Sequence, residues 1–365
     1  MPKLAKDSLK TTALTEMSSL THGADVAAGS ENESKKRATR RVFVESEFAP
    51  LRTVVLTQSE FGGGIFAGDD SSGNKESDRV LRDKKSTGPP QVDQARWAAE
   101  REAFGEVLEK HEVEILRPRL FTAAEKEAGR DTGYANFFVR DPWFTVGNIV
   151  IEGSIRFFHR RMEALPCRDI FENRVYPADC VYVAAPQPAI TGETKDSNEF
   201  PMLKLDQSPG PFIEGGDVLV WGKRLYVGNS GMASSSLGIE WLRKVVSHFG
   251  YSVEEVRLNP SILHLDCAIG MVKEGLMIVC EDALIDGIPK SLSDWTQIAA
   301  TESEASRLGI NGFPINPSAY VTDPEFRSIG DQIELYGVEV EYVDFSISRS
   351  FGGAFRCSTQ PLWRE

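Results

Sequence analysis

The sequence predicts a mixed α/β fold built from one recurring unit, a pair of short strands followed by a helix and a further strand. Short runs rich in β-branched residues recur along the chain, and turns containing Gly or Asn separate them in pairs. Segments with helical spacing of apolar residues lie between these pairs and the next strands. The chain has 365 residues, of which 41% are apolar, so it is long enough to bury a sizeable core.

The first predicted elements lie between residues 51 and 118. "LRTVVLTQ" predicts a strand, and "QVDQARWAAEREAFGEVLEKHEVEILRP" predicts a helix followed by the strand "VEILRP". Trp97, Phe104, Val107 and Leu108 fit one face of this helix. We therefore expect that face to be buried.

The remaining elements repeat the same order. "WFTVGNIVIEG" and "DVLVWGKRLYVGNS" each predict two strands joined by a turn, and "SLGIEWLRKVVSHFG" predicts a helix closed by Gly250. A second helix, "DPEFRSIGDQIELYG", is expected to stop at Gly337. Three further stretches predict strands: "YSVEEVRL", "CAIGMVKEGLMIVCED" and "VEVEYVDFS".

Two regions have a different composition. Residues 1–41 are polar, small and charged, so they predict a disordered tail that cannot bury enough apolar surface to fold. Residues 68–90 predict an exposed loop. The remainder, 42–365, is expected to form a single catalytic domain.

Charge and cysteine content restrict the class of protein. The net charge of -13 argues against a nucleic-acid partner, which usually meets a basic face. Five cysteines, an odd number with no CxxC pair, favour a reducing compartment, and we expect a cytoplasmic location. The sequence has neither an apolar run of membrane-spanning length nor a secretory signal pattern, so no membrane partner is expected.

Four short motifs carry residue types that belong together chemically. Each lies at the border of an apolar strand, where loops on a rigid scaffold often carry function. His264 and Asp266 alternate along what we interpret as a strand, so both side chains are expected on one face. The motifs are "FFVRDPW" with Asp141, "PFIEGGDVLV" with Glu214 and Asp217, "LHLDCAIG" with His264 and Asp266, and "GGAFRCSTQ" with Cys357.

Each motif alone has a simpler structural explanation. Asp141 could form a surface ion pair with Arg140, Glu214 could belong to a glycine turn, and Cys357 could be a small buried apolar residue. Together, the thiol, the imidazole and the carboxylates suggest covalent attack on a guanidino or amidino carbon. A zinc site is the competing interpretation, although no pair of ligands has the spacing of a structural zinc finger.

The ordered set "RDP", "EGGD", "HLD" and "GG…RC" resembles the guanidino-modifying enzymes of the pentein superfamily, over residues from about 42 to the end. These include arginine deiminases, dimethylargininases and amidinotransferases. The resemblance implies a five-bladed α/β propeller of ββαβ units around a central active site. It implies neither a cofactor nor a metal.

The resemblance also implies a role for each site residue. Cys357 would be the nucleophile that forms an amidino-thioether, His264 the general acid and base, and Glu214 a catalytic carboxylate. Asp141, Asp266 and Asp217 would bind substrate, the first two at its guanidinium. Arg160, in "RFFHRRME", would grip the substrate carboxylate.

Transfer and hydrolysis are harder to separate. "RDPW", "EGGD" and "RCSTQPLWRE" resemble deiminases, whereas "VGNIVIEGSIRFFHRR", "SLGIEWLRK" and the spacing of the motifs resemble amidinotransferases. We favour an L-arginine amidinotransferase that passes the amidino group to an acceptor amine and releases ornithine. The alternatives are a hydrolase giving citrulline and ammonia, and a non-catalytic arginine-binding protein. A homodimer is the default expectation for the family.

Overall fold

The computed structural model describes residues 41–62, 93–188, 194–196, 204–206 and 208–365. These residues fall in one compact unit, Arg40–Glu365. The tail predicted for residues 1–41 lies outside the described residues except for Arg41. The loop predicted for 68–90 lies wholly outside them.

Nineteen strands are present in the described residues, and we number them in chain order. They are β1 Leu51–Leu56, β2 Glu60–Gly62, β3 Glu114–Leu116, β4 Tyr134–Asn136, β5 Trp143–Val146, β6 Ile149–Glu152, β7 Val181–Ala184, β8 Thr194–Asp196, β9 Lys204–Asp206, β10 Val218–Trp221, β11 Arg224–Asn229, β12 Ser252–Arg257, β13 Ile269–Lys273, β14 Leu276–Val279, β15 Thr296–Ala299, β16 Phe313–Asn316, β17 Ala319–Thr322, β18 Glu339–Tyr342 and β19 Thr359–Arg364.

Seven α-helical segments accompany these strands in the described residues. They are α1 Gln94–Lys110, α2 Ala123–Ala128, α3 Arg168–Ile170, α4 Ser236–Ser247, α5 Glu302–Ser306, α6 Arg327–Glu334 and α7 Ser346–Ser350. The side chain of Asp93 caps α1, and that of Ser235 caps α4, by accepting a backbone N–H of the first turn. Gly250 and Gly337 follow α4 and α6 with φ of +79° and +74°, as their predicted helix-ending role requires.

The described strands form five three-stranded sheets with one shared pattern. In each, the middle strand pairs antiparallel with one neighbour and parallel with the other. The parallel neighbour needs a crossover connection, and α1, α3, α4 and α6 supply it in four sheets. The sheets are β19-β1-β3, β5-β6-β7, β10-β11-β12, β13-β14-β15 and β16-β17-β18.

The observed elements confirm the predicted strand pairs β5–β6 and β10–β11, and the helix predicted after the second pair is α4. The predicted turns fall at Gly147 and Gly222, whose positive φ of +54° and +57° suits glycine. The hairpin of β16 and β17 was not predicted, because proline and asparagine interrupt its short apolar runs. The arrangement of the five sheets as propeller blades stays a prediction.

The core forms where α1 meets aromatic residues from the end of the chain. Trp97, Phe104 and Leu108 are fully buried and Val107 is half-buried, which confirms the predicted apolar face of this helix. The ring of Phe104 lies edge-on to that of Phe355 at 5.0 Å between centroids. This packing places α1 beside the segment that carries Cys357.

Within the described residues, no helix combines the length and the apolar character that crossing a membrane would need.

Candidate active site

Six of the seven predicted site residues lie in short segments that precede the antiparallel outer strand of four of the sheets; the seventh, Arg160, follows β6. Asp141 lies two residues before β5, and Cys357 lies two residues before β19. Since the five sheets repeat one connection, these segments occupy equivalent places in the repeated unit. The other members are Glu214 and Asp217 before β10, and His264 and Asp266 before β13.

His264 lies between two carboxylates. Its Nε2 is 2.9 Å from Oε2 of Glu214, and its Nδ1 is 3.8 Å from Oδ1 of Asp141. Burial alone would lower the pKa of His264, but Asp141 and Glu214 outweigh it and raise the pKa to about 10. The side chain is therefore an imidazolium at neutral pH, with a proton available to donate.

Arg160 belongs to the same cluster. Its Nη2 donates to Oδ2 of Asp141 at 2.7 Å, and its Nε and Nη2 donate to the carboxylate of Glu163 at 2.9 and 2.7 Å. Its Nη1 is 3.9 Å from Oε2 of Glu214. The resemblance implies that Arg160 binds a substrate carboxylate. To do so, this guanidinium would have to use Nη1 or break its contacts with Asp141 and Glu163.

Asp141 is held as a carboxylate. Burial alone would raise its pKa, but His264 and Arg160 outweigh that effect and hold the pKa below its ordinary value. Its Oδ1 also accepts the backbone N–H of Gly216 at 2.9 Å. A Cβ at Gly216 would lie 2.5 Å from that oxygen, so the second glycine of "EGGD" lets the motifs approach each other.

Asp217 joins two of the motifs through the backbone. Its Oδ2 accepts the N–H of Ser234 at 3.1 Å, and its Oδ1 accepts the N–H of Leu265 at 3.0 Å. Burial raises the pKa of Asp217 to about 7. Its contacts fix the residue next to His264, and its predicted contact with substrate stays a prediction.

His264 immediately precedes a 3-10 turn, Leu265–Cys267, that contains Asp266, so the strand predicted to carry both is wrong at this point. Whereas His264 contacts Glu214, the Oδ2 of Asp266 accepts Nη1 of Arg356 at 2.9 Å. Arg356 is bound in turn by both oxygens of Glu47, each at 3.1 Å. The turn therefore directs the two side chains to different partners.

Cys357 is buried beside Asp266. Its Sγ lies 3.9 Å from Oδ2 of Asp266, and its backbone N–H donates to Oδ1 of Asn311 at 3.2 Å. Burial raises the pKa of the Cys357 thiol well above its ordinary value, and Asp266 and Asp141 raise it further. These surroundings favour the neutral thiol over the thiolate.

Comparison with curated proteins finds relatives at low identity, while no family model matches the chain. An uncharacterised protein, YkgA of Bacillus subtilis, is 26% identical over 223 residues, which cover 58% of this chain and 77% of YkgA. Inosamine-phosphate amidinotransferase 1 of Streptomyces griseus is 25% identical over 274 residues, 70% of this chain and 77% of that protein. The mitochondrial glycine amidinotransferase of Xenopus laevis is 23% identical over 307 residues, 75% of this chain and 71% of that protein.

Solved structures show the same fold. The inosamine-phosphate amidinotransferase of S. griseus superposes with a TM-score of 0.69 at 20% identity, covering 88% of this chain and 97% of that one. The dimethylarginine dimethylaminohydrolase of Pseudomonas aeruginosa superposes with a TM-score of 0.59 at 16% identity, covering 86% and 99%. The chain therefore shares the fold of these guanidino-modifying enzymes. Its resemblance to penteins in sequence motifs thus extends to the fold.

The candidate site also contains residues that sequence reasoning missed. Asn311 lies two residues before β16, at the same offset as Asp141 and Cys357, and its Oδ1 accepts the N–H groups of Ala354 and Cys357. A search for polar residues at this offset before every first strand would have found it. Glu47 and Arg356 gave no such signal, because their ion pair joins residues 309 positions apart.

A metal fits this candidate site poorly. Asp141, Glu214 and His264 place one ligand atom each within 4.8 Å of one another. The guanidinium of Arg160 contacts the same carboxylates, and His264 carries a proton at neutral pH. A divalent cation would therefore have to displace or deprotonate these positive groups.

Proposed function

We propose that this pentein is an L-arginine amidinotransferase that moves the amidino group to an acceptor amine through Cys357 and releases ornithine. One observation carries the proposal: a buried thiol lies 3.9 Å from the carboxylate of Asp266, beside a cluster of carboxylates that holds a protonated His264. Sequence relatives that are amidinotransferases at 25% and 23% identity support transfer.

Asp141 and Asp266 are the proposed guanidinium ligands. Each already accepts N–H groups from an arginine of this chain, Arg160 at 2.7 Å and Arg356 at 2.9 Å. A carboxylate has two oxygens with several acceptor directions, so each can take a further N–H from a substrate guanidinium. The substrate would then lie next to the Sγ of Cys357.

Binding of the substrate would also activate the nucleophile. The carboxylates of Asp266 and Asp141 raise the pKa of the Cys357 thiol, and a guanidinium cation between them would offset their charge. The pKa of Cys357 would fall only when substrate is present. Cys357 would therefore be a thiolate only while substrate is bound.

The proposed first half-reaction is attack by the Cys357 thiolate on the guanidino carbon. The carbon–sulfur bond forms, the bond to the side-chain nitrogen of arginine breaks, and His264 donates its proton to that nitrogen. Ornithine leaves, and the amidino group stays on sulfur as a thioether. His264 is then a neutral base, oriented by its contact with Glu214.

The second half-reaction regenerates the site. The acceptor amine attacks the amidino carbon, neutral His264 takes one proton from the amine, and the carbon–sulfur bond breaks. The guanidino product leaves, with thiolate and imidazolium restored. No cofactor or metal is required in this sequence of steps.

A hydrolase is the second candidate, and the deiminase-like motifs "RDPW" and "EGGD" favour it. In that reaction ammonia would leave first, and water would attack the thioether to give citrulline. The site residues would be the same, so the outcome is decided by which guanidino nitrogen leaves first and by whether an amine or water then attacks the thioether.

Product analysis by mass spectrometry tests the proposal. The protein is incubated with isotope-labelled arginine, first alone and then with a panel of amines that includes glycine, lysine and amino sugars. We expect ornithine in excess over the enzyme, together with a labelled guanidino product, only when an amine is present. Citrulline and ammonia from arginine alone would identify the hydrolase instead.

Two substitutions test the covalent mechanism. Cys357→Ser should retain the fold and lose turnover, whereas Cys180→Ser, which removes a thiol that contacts the carbonyl of Val175, should retain activity. His264→Ala should slow turnover by roughly 10²-fold or more. Full activity of Cys357→Ser would exclude the thioether, and arginine binding without any turnover in the unchanged protein would indicate a non-catalytic binding protein.

A further inference from the structure

The amide of Asn311 joins two segments of the candidate site. Its Oδ1 accepts the backbone N–H of Ala354 at 3.3 Å and that of Cys357 at 3.2 Å. Its Nδ2 donates to the backbone carbonyl of Asp266 at 3.5 Å. The side chain is fully buried, so water does not compete for these contacts. One side chain therefore connects the segment that carries Cys357 with the segment that carries Asp266.

An amide is well suited to this set of contacts. Asn311 accepts two N–H groups and donates to a carbonyl at the same time, and a carboxamide has an oxygen acceptor and an NH2 donor. A carboxylate of the same shape could accept but could not donate, and an apolar side chain of similar size could do neither. The contacts also fix the orientation of the amide, because a flipped group would point its NH2 at two N–H donors.

The backbone of Cys357 is held from two sides. Its N–H donates to Asn311, and its carbonyl accepts the N–H of Arg140 at 3.2 Å. The N–H of Arg356 donates in turn to the backbone carbonyl of Asn311 at 3.4 Å. By contrast, the Sγ of Cys357 lies 3.9 Å from the carboxylate of Asp266, which is a long contact. The position of the sulfur therefore depends mainly on the backbone that carries it.

The turn that leads to Asn311 contains a residue in an unfavourable conformation. Leu308, which follows α5, has a φ of +70°, in the left-handed region that residues with a side chain seldom adopt. The N–H of Asn311 donates to the carbonyl of Leu308 at 3.1 Å, so this turn sets the place of Asn311 before β16. Strained backbone of this kind is concentrated at functional sites. The turn is thus a second observation, separate from the amide contacts, that favours a functional role for Asn311.

We propose that Asn311 is a positioning residue of the reaction, which fixes the backbone of Cys357 so that its Sγ stays beside the carboxylate of Asp266. This assignment rests on the proposed function, in which Asp266 binds the guanidinium and Cys357 attacks its carbon. Asn311 acts through these two residues and needs no contact with the substrate. Without its amide, the sulfur would move relative to the guanidino carbon, and a small displacement of reacting atoms greatly reduces a rate.

Alkylation of Cys357 tests the proposal without depending on turnover. The reagents are chloroacetamidine, whose amidinium resembles a guanidinium, and the neutral chloroacetamide. In each reaction the carbon–sulfur bond forms, chloride leaves, and the thiol proton passes to solvent. Peptide mass spectrometry measures the rate at each cysteine. In the unchanged protein we expect the amidine to modify Cys357 faster than the amide does, because Asp266 and Asp141 attract its cation.

Replacing Asn311 by residues of similar size separates its two contacts. Asn311→Leu should slow the reaction of chloroacetamidine with Cys357 by about tenfold to a hundredfold, since buried N–H groups lose their acceptor. Asn311→Asp keeps the acceptor and should retain part of the rate. Its pH dependence should move to higher pH, because the new carboxylate would add to the effect of Asp266 and Asp141 on the thiol.

A matched control comes from the other end of β16. The Oδ1 of Asn316 accepts the N–H of exposed Ser318 at 2.8 Å, so Asn316→Leu removes an amide contact of the same kind away from Cys357. This variant should react with chloroacetamidine at the rate of the unchanged protein.

Three outcomes would contradict these inferences, each in a distinguishable way. An unchanged rate at Cys357 in Asn311→Leu would overturn the positioning role. Faster alkylation of both Cys357 and the buried Cys167 in that variant would indicate a loosened fold and would overturn it as well. If chloroacetamidine has no advantage over chloroacetamide in the unchanged protein, the proposed function itself fails, because the carboxylates then do not attract a guanidinium-like cation.

Discussion

His264 and His159 are both buried, yet their surroundings shift their pKa values in opposite directions. Burial lowers the pKa of His159, and the neighbouring charge of Arg160 lowers it further, to about 3. For His264, the carboxylates of Asp141 and Glu214 overcome the effect of burial and raise the pKa to about 10. Charge placement within one cluster thus decides which histidine can act as an acid.

This contrast predicts the outcome of an NMR titration of nitrogen-15-labelled histidines. One buried imidazole should stay doubly protonated at pH 8, and another should stay neutral at pH 5. His264→Gln should remove the first signal and His159→Gln the second. A single titration near pH 6.5 for both buried residues would contradict the charge arrangement described for the cluster.

The raised pKa of His264 also determines how the free energy of unfolding changes with pH. The folded protein binds this proton more tightly than the unfolded chain, whose histidine has a pKa near 6.5. The stabilisation is present below about pH 6.5 and is lost as the pH rises toward about 10. In His264→Gln, we expect the free energy of unfolding to fall less steeply over that interval, as measured by urea denaturation.

Sequence alone identified much of this site at the residue scale. Cys357, His264 and the acidic residues were found because they stand at strand borders in a recognisable order. The partners of Arg160 could not be predicted, since three carboxylates and one guanidinium allow several pairings. Only the structure assigns Arg160 to Asp141 and Glu163.

At the scale of elements, α1 and α7 are joined by a buried polar contact. The carboxylate of Glu100 accepts the N–H of Ile347 and both the N–H and the hydroxyl of Ser348. Arg101 donates to the same hydroxyl at 2.7 Å. Because α7 immediately precedes the segment that carries Cys357, this contact holds the start of that segment against α1.

Replacing Glu100 tests that contact. Glu100→Ala should lower the free energy of unfolding by about 3 kcal/mol, because buried donors on α7 and the charge of Arg101 would lose an acceptor. Glu106→Ala on the exposed face of the same helix serves as the control and should cost little. Equal stability of the two variants in chemical denaturation would show that the contact does not anchor α7.

The helix itself was predictable, but this contact was not. The apolar spacing of Trp97, Phe104 and Leu108 predicted the buried face of α1. No local pattern in the sequence indicates that Glu100 and Arg101 are buried, since charged residues are seldom buried without partners. Their partner Ser348 lies 248 positions from Glu100, beyond the reach of any local pattern.

At the scale of the whole molecule, one ion-pair network ties the beginning of the described chain to its last strand. Glu47, a few residues before β1, binds Arg356, which precedes Cys357 and contacts Asp266. Arg364 of β19 donates to the carbonyls of Ala49 and Pro314 at 2.6 and 2.7 Å. These contacts link residues near the start of the described chain to the segment that carries Cys357, the proposed nucleophile, and so fix its position.

The network predicts that Glu47 affects both stability and catalysis. Glu47→Gln should destabilise the fold by about 3 kcal/mol, because it leaves the buried charge of Arg356 with one carboxylate fewer. It should also lower kcat, since Arg356 would be free to change its contact with Asp266. Glu274→Gln on the exposed β13–β14 turn is the matched control. Loss of stability with unchanged kcat would limit Glu47 to a structural role.

The pairing of β19 with β1 has a consequence for synthesis on the ribosome. The side chains of Arg52 and Glu365 meet at 2.9 Å and are 313 positions apart in the sequence. The antiparallel partner of β1 is therefore synthesised only after most of the described chain has been translated. Until then one edge of β1 stays open to strands of other nascent chains. A chain interrupted before residue 357 would also lack the thiol of Cys357, so a fragment prone to aggregate would carry no proposed nucleophile.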